Sequence, residues 1–156
     1  MGLRYNLRQA IYRALLDVLV DRDGNTILDR DGNAVTPRNL IGATGIYDTP
    51  PRADNAGNKG SRFPYITFGA TVVSEFDTNT RVGFDVLMRL HFHSRSGSQK
   101  EIEDMQDAVL TRLHLQTLTV DDHHSILLRR EQSDIAPGPE GLHQGTDEYR
   151  VYIEQL

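Results

Sequence analysis

The chain of 156 residues contains no cysteine. That excludes disulfide frameworks, thiolate zinc sites, iron–sulfur clusters and cysteine nucleophiles. No apolar run approaches the roughly 20 residues of a membrane-spanning helix. The opening MGLRYN lacks the apolar segment of a signal peptide, and Asn6 stands where a myristoylation signal wants Ser or Thr. Positive charge is also scarce: 17 Lys and Arg against 22 Asp and Glu leave a formal charge of −5. Each phosphate contact needs a local Lys or Arg, so general nucleic-acid binding is disfavoured. Neither G-x-G-x-x-G, a Walker loop, H-E-x-x-H nor G-x-S-x-G occurs.

The residues that are present predict a soluble globular chain, 38% hydrophobic and 25% charged. At this length one domain, 1–156, buries roughly 70% of its unfolded surface. Leu3, Leu7, Ala10, Ile11, Ala14, Leu15 and Val18 recur at helical spacing, which predicts an amphipathic helix ending by about Val20. Residues 21–62 are rich in turn formers. DRDGN occurs at Asp21–Asn25 and again at Asp29–Asn33, and Asp-Gly with Gly-Asn is hairpin-turn chemistry, so an inserted hairpin is expected at 21–45. An EF-hand reading of the first repeat fails, because position 12 counted from Asp21 is Gly32 and not Glu. RADNAGNKGS reads as a mobile loop near 52–62.

Strands follow. Tyr65–Phe68 and Thr71–Phe76 read as two, separated by Gly69 and Ala70. Phe84, Val86, Met88, Leu90 and Phe92 alternate with Asp85, Leu87, Arg89, His91 and His93, a long strand with one buried face. Ser98 and Glu101 form an S-x-x-E capping box ahead of a helix whose buried stripe is Ile102, Met105, Val109 and Leu113. A short strand near Leu118–Val120, a strand at Ser125–Arg130, a loop at Ala136–Gly141 and a last strand through Tyr149, Val151 and Ile153 complete the chain. The order predicts an α+β fold: a mainly antiparallel sheet with two helices on one face.

Two clusters have chemical potential. His91 and His93 share a strand face, and His123 and His124 follow Asp121 and Asp122. Were those strands neighbours, imidazoles and a carboxylate would meet as in a metal site, so a small metal-dependent enzyme is one alternative reading. Polar-face histidines and a turn account for the same residues without a metal. Arg129 and Arg130 are the best basic doublet and read as a solvated strand end.

In their order these stretches resemble the tail-completion, or tail terminator, proteins of long-tailed phages and phage-like particles. LRQAIYRALL is similar to the family's first helix. IYDTPP at Ile46–Pro51 and FPYITFG at Phe63–Gly69 are similar to its first strand region. Phe84–His114 matches its strand, Ser/Gly turn and capped helix, and EYRVYIEQL its last strand. The Asp21–Gly45 stretch departs from the pattern as an insertion. The resemblance implies a structural virion protein without catalysis or cofactor. It implies a ring, often a hexamer, that caps the head-proximal end of the tail tube, stops its polymerisation and offers the head-joining surface. The implied partners are further copies, the tail tube protein and head–tail connector proteins. DNA would pass through the lumen without sequence-specific binding, and assembly would take place in the host cytoplasm. A head–tail connector or other neck component is the alternative within the same class. Subunit contacts are expected at Tyr47, Pro50 and Pro51 and in the turn of Ser94, Arg95 and Ser96.

Overall fold

The structure, a computed structural model, describes residues 2–16, 25, 28, 30–32, 46–48, 63–77, 79–95, 98–114, 118–138 and 141–155. Helix α1 spans Leu3–Leu16 and α2 spans Lys100–Leu113. The strands are β1 (Ile46–Tyr47), β2 (Tyr65–Asp77), β3 (Val82–Ser94), β4 (Thr119–Val120), β5 (His123–Pro137) and β6 (His143–Gln155). They form one six-stranded sheet in the order β1-β2-β3-β6-β5-β4, antiparallel except for the β1–β2 pair. The architecture is α+β as the element order predicts. The hairpin expected at 21–45 lies outside the described residues except for 25, 28 and 30–32, and the loop expected at 52–62 lies wholly outside them. Gly32 adopts φ of +82°, the left-handed backbone that primed turns require.

The core lies between one sheet face and both helices. Leu7, Ile11 and Leu15 of α1 and Ile102, Met105, Val109 and Leu113 of α2 are buried, as their helical spacing dictates. Opposite them stand Val86, Met88, Leu90 and Phe92 of β3 and Tyr149, Val151 and Ile153 of β6. The outer face of the sheet carries no helix among the described residues; Asp85, Arg89, Thr146, Glu148 and Arg150 make it mostly polar, with Val72 and Leu87 paired on it as apolar exceptions.

Three local expectations are corrected. Gly69 and Ala70 do not divide two strands. β2 is continuous, and Phe68 pairs with Leu90 while Thr71 pairs with Met88, so one extra residue is absorbed as a bulge. Gly69 is required there, because a Cβ at that position would strike the ring of His91. The strand expected to end at Arg130 runs on to Pro137, because Ile135, Ala136 and Pro137 find backbone partners in Gly145, Gln144 and His143. The capping box is redistributed. Ser98 Oγ accepts from the backbone N–H of Lys100 at 3.1 Å, but Glu101 accepts from Ser94 Oγ at 2.7 Å instead of reaching back to the cap. Ser94 is fully buried at the end of β3, so its hydroxyl needs a partner, and Glu101 ties helix to strand.

Candidate functional site

The register brings the two segments chosen from sequence to one corner of the sheet. β1 lies parallel to β2 with Tyr47 opposite Thr67, and Tyr65 of β2 pairs with His93 of β3. Tyr47 meets the Tyr65 ring edge-on at 6.1 Å, and Phe63 lies 4.9 Å from Tyr65. Tyr65 stacks on His93 at 4.5 Å, and the Arg95 guanidinium sits 5.6 Å from the Phe63 ring centroid. Tyr47 and Arg95 thus belong to one continuous group through Phe63, Tyr65 and His93. Arg95 is exposed, with Phe63 and Tyr47 half-buried. Ser94 points inward and shapes the turn through Glu101, while Pro50, Pro51 and Ser96 lie outside the described residues.

Arg95 and the Arg8–Asp48 pair beside Tyr47 are charges at this corner. His93 Nε2 lies 3.1 Å from Thr67 Oγ1. Burial, and then the neighbouring His91, push the His93 pKa down to about 4. Burial first, then Arg89, also lowers His91, whose Nδ1 is 3.1 Å from Thr146 Oγ1. Both imidazoles are therefore neutral at pH 7. Aromatic rings around an exposed arginine suit protein contact, since Tyr and Arg are enriched where interfaces carry their energy. Sequence reasoning missed Phe63 and Tyr65, and read His93 as a metal candidate or a polar-face residue and not as part of a contact surface. The aromatic spacing of F-P-Y was a usable signal, but only the β2–β3 register places His93 beneath Tyr65.

The four histidines do not form a metal site. His123 pairs with Gln155 at one end of β6, whereas His93 pairs with Gln144 near the other. Those rows are about 35 Å apart at roughly 3.3 Å per residue. Among the described residues no group of three or more His, Asp or Glu could hold a metal ion.

On the outer face, Arg150 of β6 bridges Asp85 of β3 and Glu131 of β5, each at 2.6 Å. The hydrogen bond from Arg150 is the main reason that the Glu131 carboxyl lies below its ordinary range. A bulge between Arg130 and Gln132 turns Glu131 outward to make this contact. Arg89 pairs with Glu148 at 3.1 Å and Arg81 with Glu154 at 3.0 Å. Among the described residues the face balances these charges internally and offers no free basic stripe to a phosphate backbone. Arg130 is not the solvated strand end expected: it turns to the helix side, where its guanidinium lies 3.8 Å from Asp147. Asp147 is fully buried, accepts from Ser133 Oγ at 2.6 Å, and is raised by that burial to a pKa of about 6. Its place was legible, because it shares the inward alternation of Tyr149, Val151 and Ile153; its partners were not.

Comparison with known proteins gives the arrangement its context. No curated protein matches the chain. A chain from a solved structure described as the virion of a native gene transfer agent (GTA) particle shares the fold, with a TM-score of 0.70 and 16% identity, covering 98% of each chain. A family model described as tail completion protein gp17 matches residues 33–154. The chain belongs to that family, tail completion protein gp17, a family of structural proteins of the virion tail.

Proposed function

We propose that the chain forms a ring on the head-proximal end of the tail tube, stops tube polymerisation there and presents the surface to which the head is joined. The observation that carries this reading is family membership over residues 33–154. The likeness of fold to a chain of a phage-like particle agrees with it. This role needs no catalytic step, and the aromatic corner has the composition of a contact surface. Six copies of −5 give a ring charge of −30, which favours free passage of DNA if that charge lines the lumen.

Deleting the gene is expected to give tails of abnormal length, measured by electron microscopy of lysates. Normal-length tails without heads would instead assign the chain to the neck as a connector. The corner makes a second expectation, because Arg95 is an exposed cation held on Phe63. Arg95→Glu is expected to leave the melting temperature near that of wild type and to lower assembly about tenfold, the effect of losing one interfacial hot spot of about 1.4 kcal/mol or more. An unchanged oligomer by sedimentation and an unchanged particle yield would remove Arg95 from the interface.

A further inference from the structure

The solvent face of α1 is not that of an ordinary surface helix. Its sequence, LRYNLRQAIYRALL, contains Arg4, Arg8 and Arg13 and no acidic residue. Tyr5 and Tyr12 are each 42% exposed, seven residues apart on the side opposite the buried Leu7 and Ile11. Arg8 lies between them. Neither tyrosine is needed by the core, and Tyr with Arg is the composition of a binding hot spot.

The β2–β3 hairpin carries the complement. Val72 is 54% exposed and Val82 42%. Those two and the two tyrosines are four of the five exposed large apolar side chains among the described residues, the other being Leu28. Glu75 and Asp77 are exposed on the same hairpin and take part in no ion pair among the described residues. The hairpin's other charged side chains are already matched within the sheet: Arg81 pairs with Glu154 and Asp85 with Arg150. From Phe68 to Asp77 the outer edge of β2 also has no neighbouring strand among the described residues, since β1 pairs only with Ile66 and Thr67, although Arg4 Nε of the same chain donates to the Thr71 carbonyl at 3.4 Å.

An apolar face ringed by one sign of charge and an apolar arm bearing the other sign therefore occur on one chain. The internal ion pairs of α1 do not cancel its charge field. Arg8 reaches Asp48 at 3.4 Å and Arg13 reaches Asp121 at 3.6 Å, all four side chains being substantially exposed, and such pairs contribute little. The Arg8–Asp48 pair also joins the α1 face to the residue after Tyr47, so this surface adjoins the aromatic corner.

We propose that the α1 face of Tyr5, Arg8 and Tyr12, flanked by Arg4, receives the β2–β3 hairpin of a second copy through Glu75, Asp77 and Val82, which the pairing of Glu75 with Phe84 and of Asp77 with Val82 puts on one face of the hairpin, whereas Val72, paired with Leu87, lies on the other. This rests on the ring reading and specifies its contact. Two different patches of one chain meet, so the interface is heterologous and repeats head to tail around a closed assembly. The arginines face Glu75 and Asp77 while the tyrosines cover Val82, which gives the contact both register and area.

A charge swap tests it in the assembling system. A deletion strain is complemented with full-length variants, and DNA-filled particles are counted. Glu75→Arg with Asp77→Arg makes both patches positive, and Arg4→Glu with Arg8→Glu makes both negative. Each pair alone is expected to reduce the yield more than tenfold by like-charge repulsion. Co-expression of the two double variants, or all four substitutions in one chain, is expected to restore most of the yield, because opposite charges then meet at every contact. Tyr5→Ser with Tyr12→Ser, which the core does not feel, is expected to lower the yield without any charge change. Wild-type yields from the tyrosine variant or from either double variant overturn the contact. So does loss without rescue, which means that the partner of these patches is a different protein. The terminator reading fails separately, through normal tail length in the deletion strain, and that phenotype does not enter the pattern of rescue.

Discussion

Phe92→Ala is expected to lower the unfolding free energy by about 3–5 kcal/mol, as loss of a fully buried aromatic side chain does. Phe92 is completely buried on the inner face of β3, opposite Ile66 on one side and Gly145 on the other. Gly145 contributes no side chain, and a Cβ there would come within 2.6 Å of Ile102 Cγ2 and 2.7 Å of Gln106 Nε2. Helix α2 therefore rests directly on the β6 backbone, and Phe92 fills the row beside it. Gln106 donates to the carbonyl of Asp134 at 3.0 Å, so the same helix also secures the β5 edge. Truncating Phe92 leaves a cavity that α2 cannot close without breaking that bond. Urea unfolding should show a lower midpoint at an unchanged slope. A loss below about 1 kcal/mol would mean that the site collapses freely and that α2 is not seated as described.

Asp147→Asn is expected to change how stability depends on pH. Asp147 is raised from its ordinary 3.8 to about 6 in the folded chain, chiefly by burial; Ser133 and Arg130 oppose the rise, and Asp134 and Asp107 reinforce it. The folded chain therefore binds this proton more tightly than the unfolded chain. Its contribution is fully present below pH 3.8 and is lost as pH rises through about 6. The 2.2-unit difference corresponds to about 3 kcal/mol. His93 works in the opposite sense. Lowered from 6.5 to about 4, it contributes stability that is present above pH 6.5 and is lost as pH falls through 4. The two terms oppose each other over nearly the same window. The asparagine variant should therefore gain about 3 kcal/mol relative to wild type between pH 4 and pH 7, and should lose stability on acidification more steeply than wild type does. Chemical unfolding at several pH values reads this directly. Parallel profiles for the two proteins would show that Asp147 is not buried in a desolvated position.

Much of this molecule was legible without coordinates. The alternation of Phe84–His93 separated a core face from a polar face, and the structure buries Val86, Met88, Leu90 and Phe92 accordingly. The stripes of both helices were equally plain. Errors arose where a local signal met a non-local demand. Gly69 looks like a break, yet β2 takes up the extra residue as a bulge. Glu101 looks like a capping residue, yet the buried hydroxyl of Ser94 claims it. The segment after Arg130 contains few strong strand formers, but β6 supplies its backbone partners.

Sequence alone determined the two helices and the central strand, which side of each is apolar, and the acidic, cysteine-free composition that excludes thiolate and disulfide chemistry. Those properties depend on neighbours within a few positions, so period and composition are enough to read them. The tertiary structure decided what meets what. It joined Tyr47 to Arg95 through Phe63 and Tyr65, separated His91 and His93 from His123 and His124 along the sheet, and buried Asp147 beside Ser133 and Arg130. The physical reason is strand register. A shift of a single residue in the pairing of β6 with its neighbours would leave every local pattern intact and turn Asp147 away from Ser133 and Arg130, and a like shift of β2 against β3 would part Tyr65 from His93.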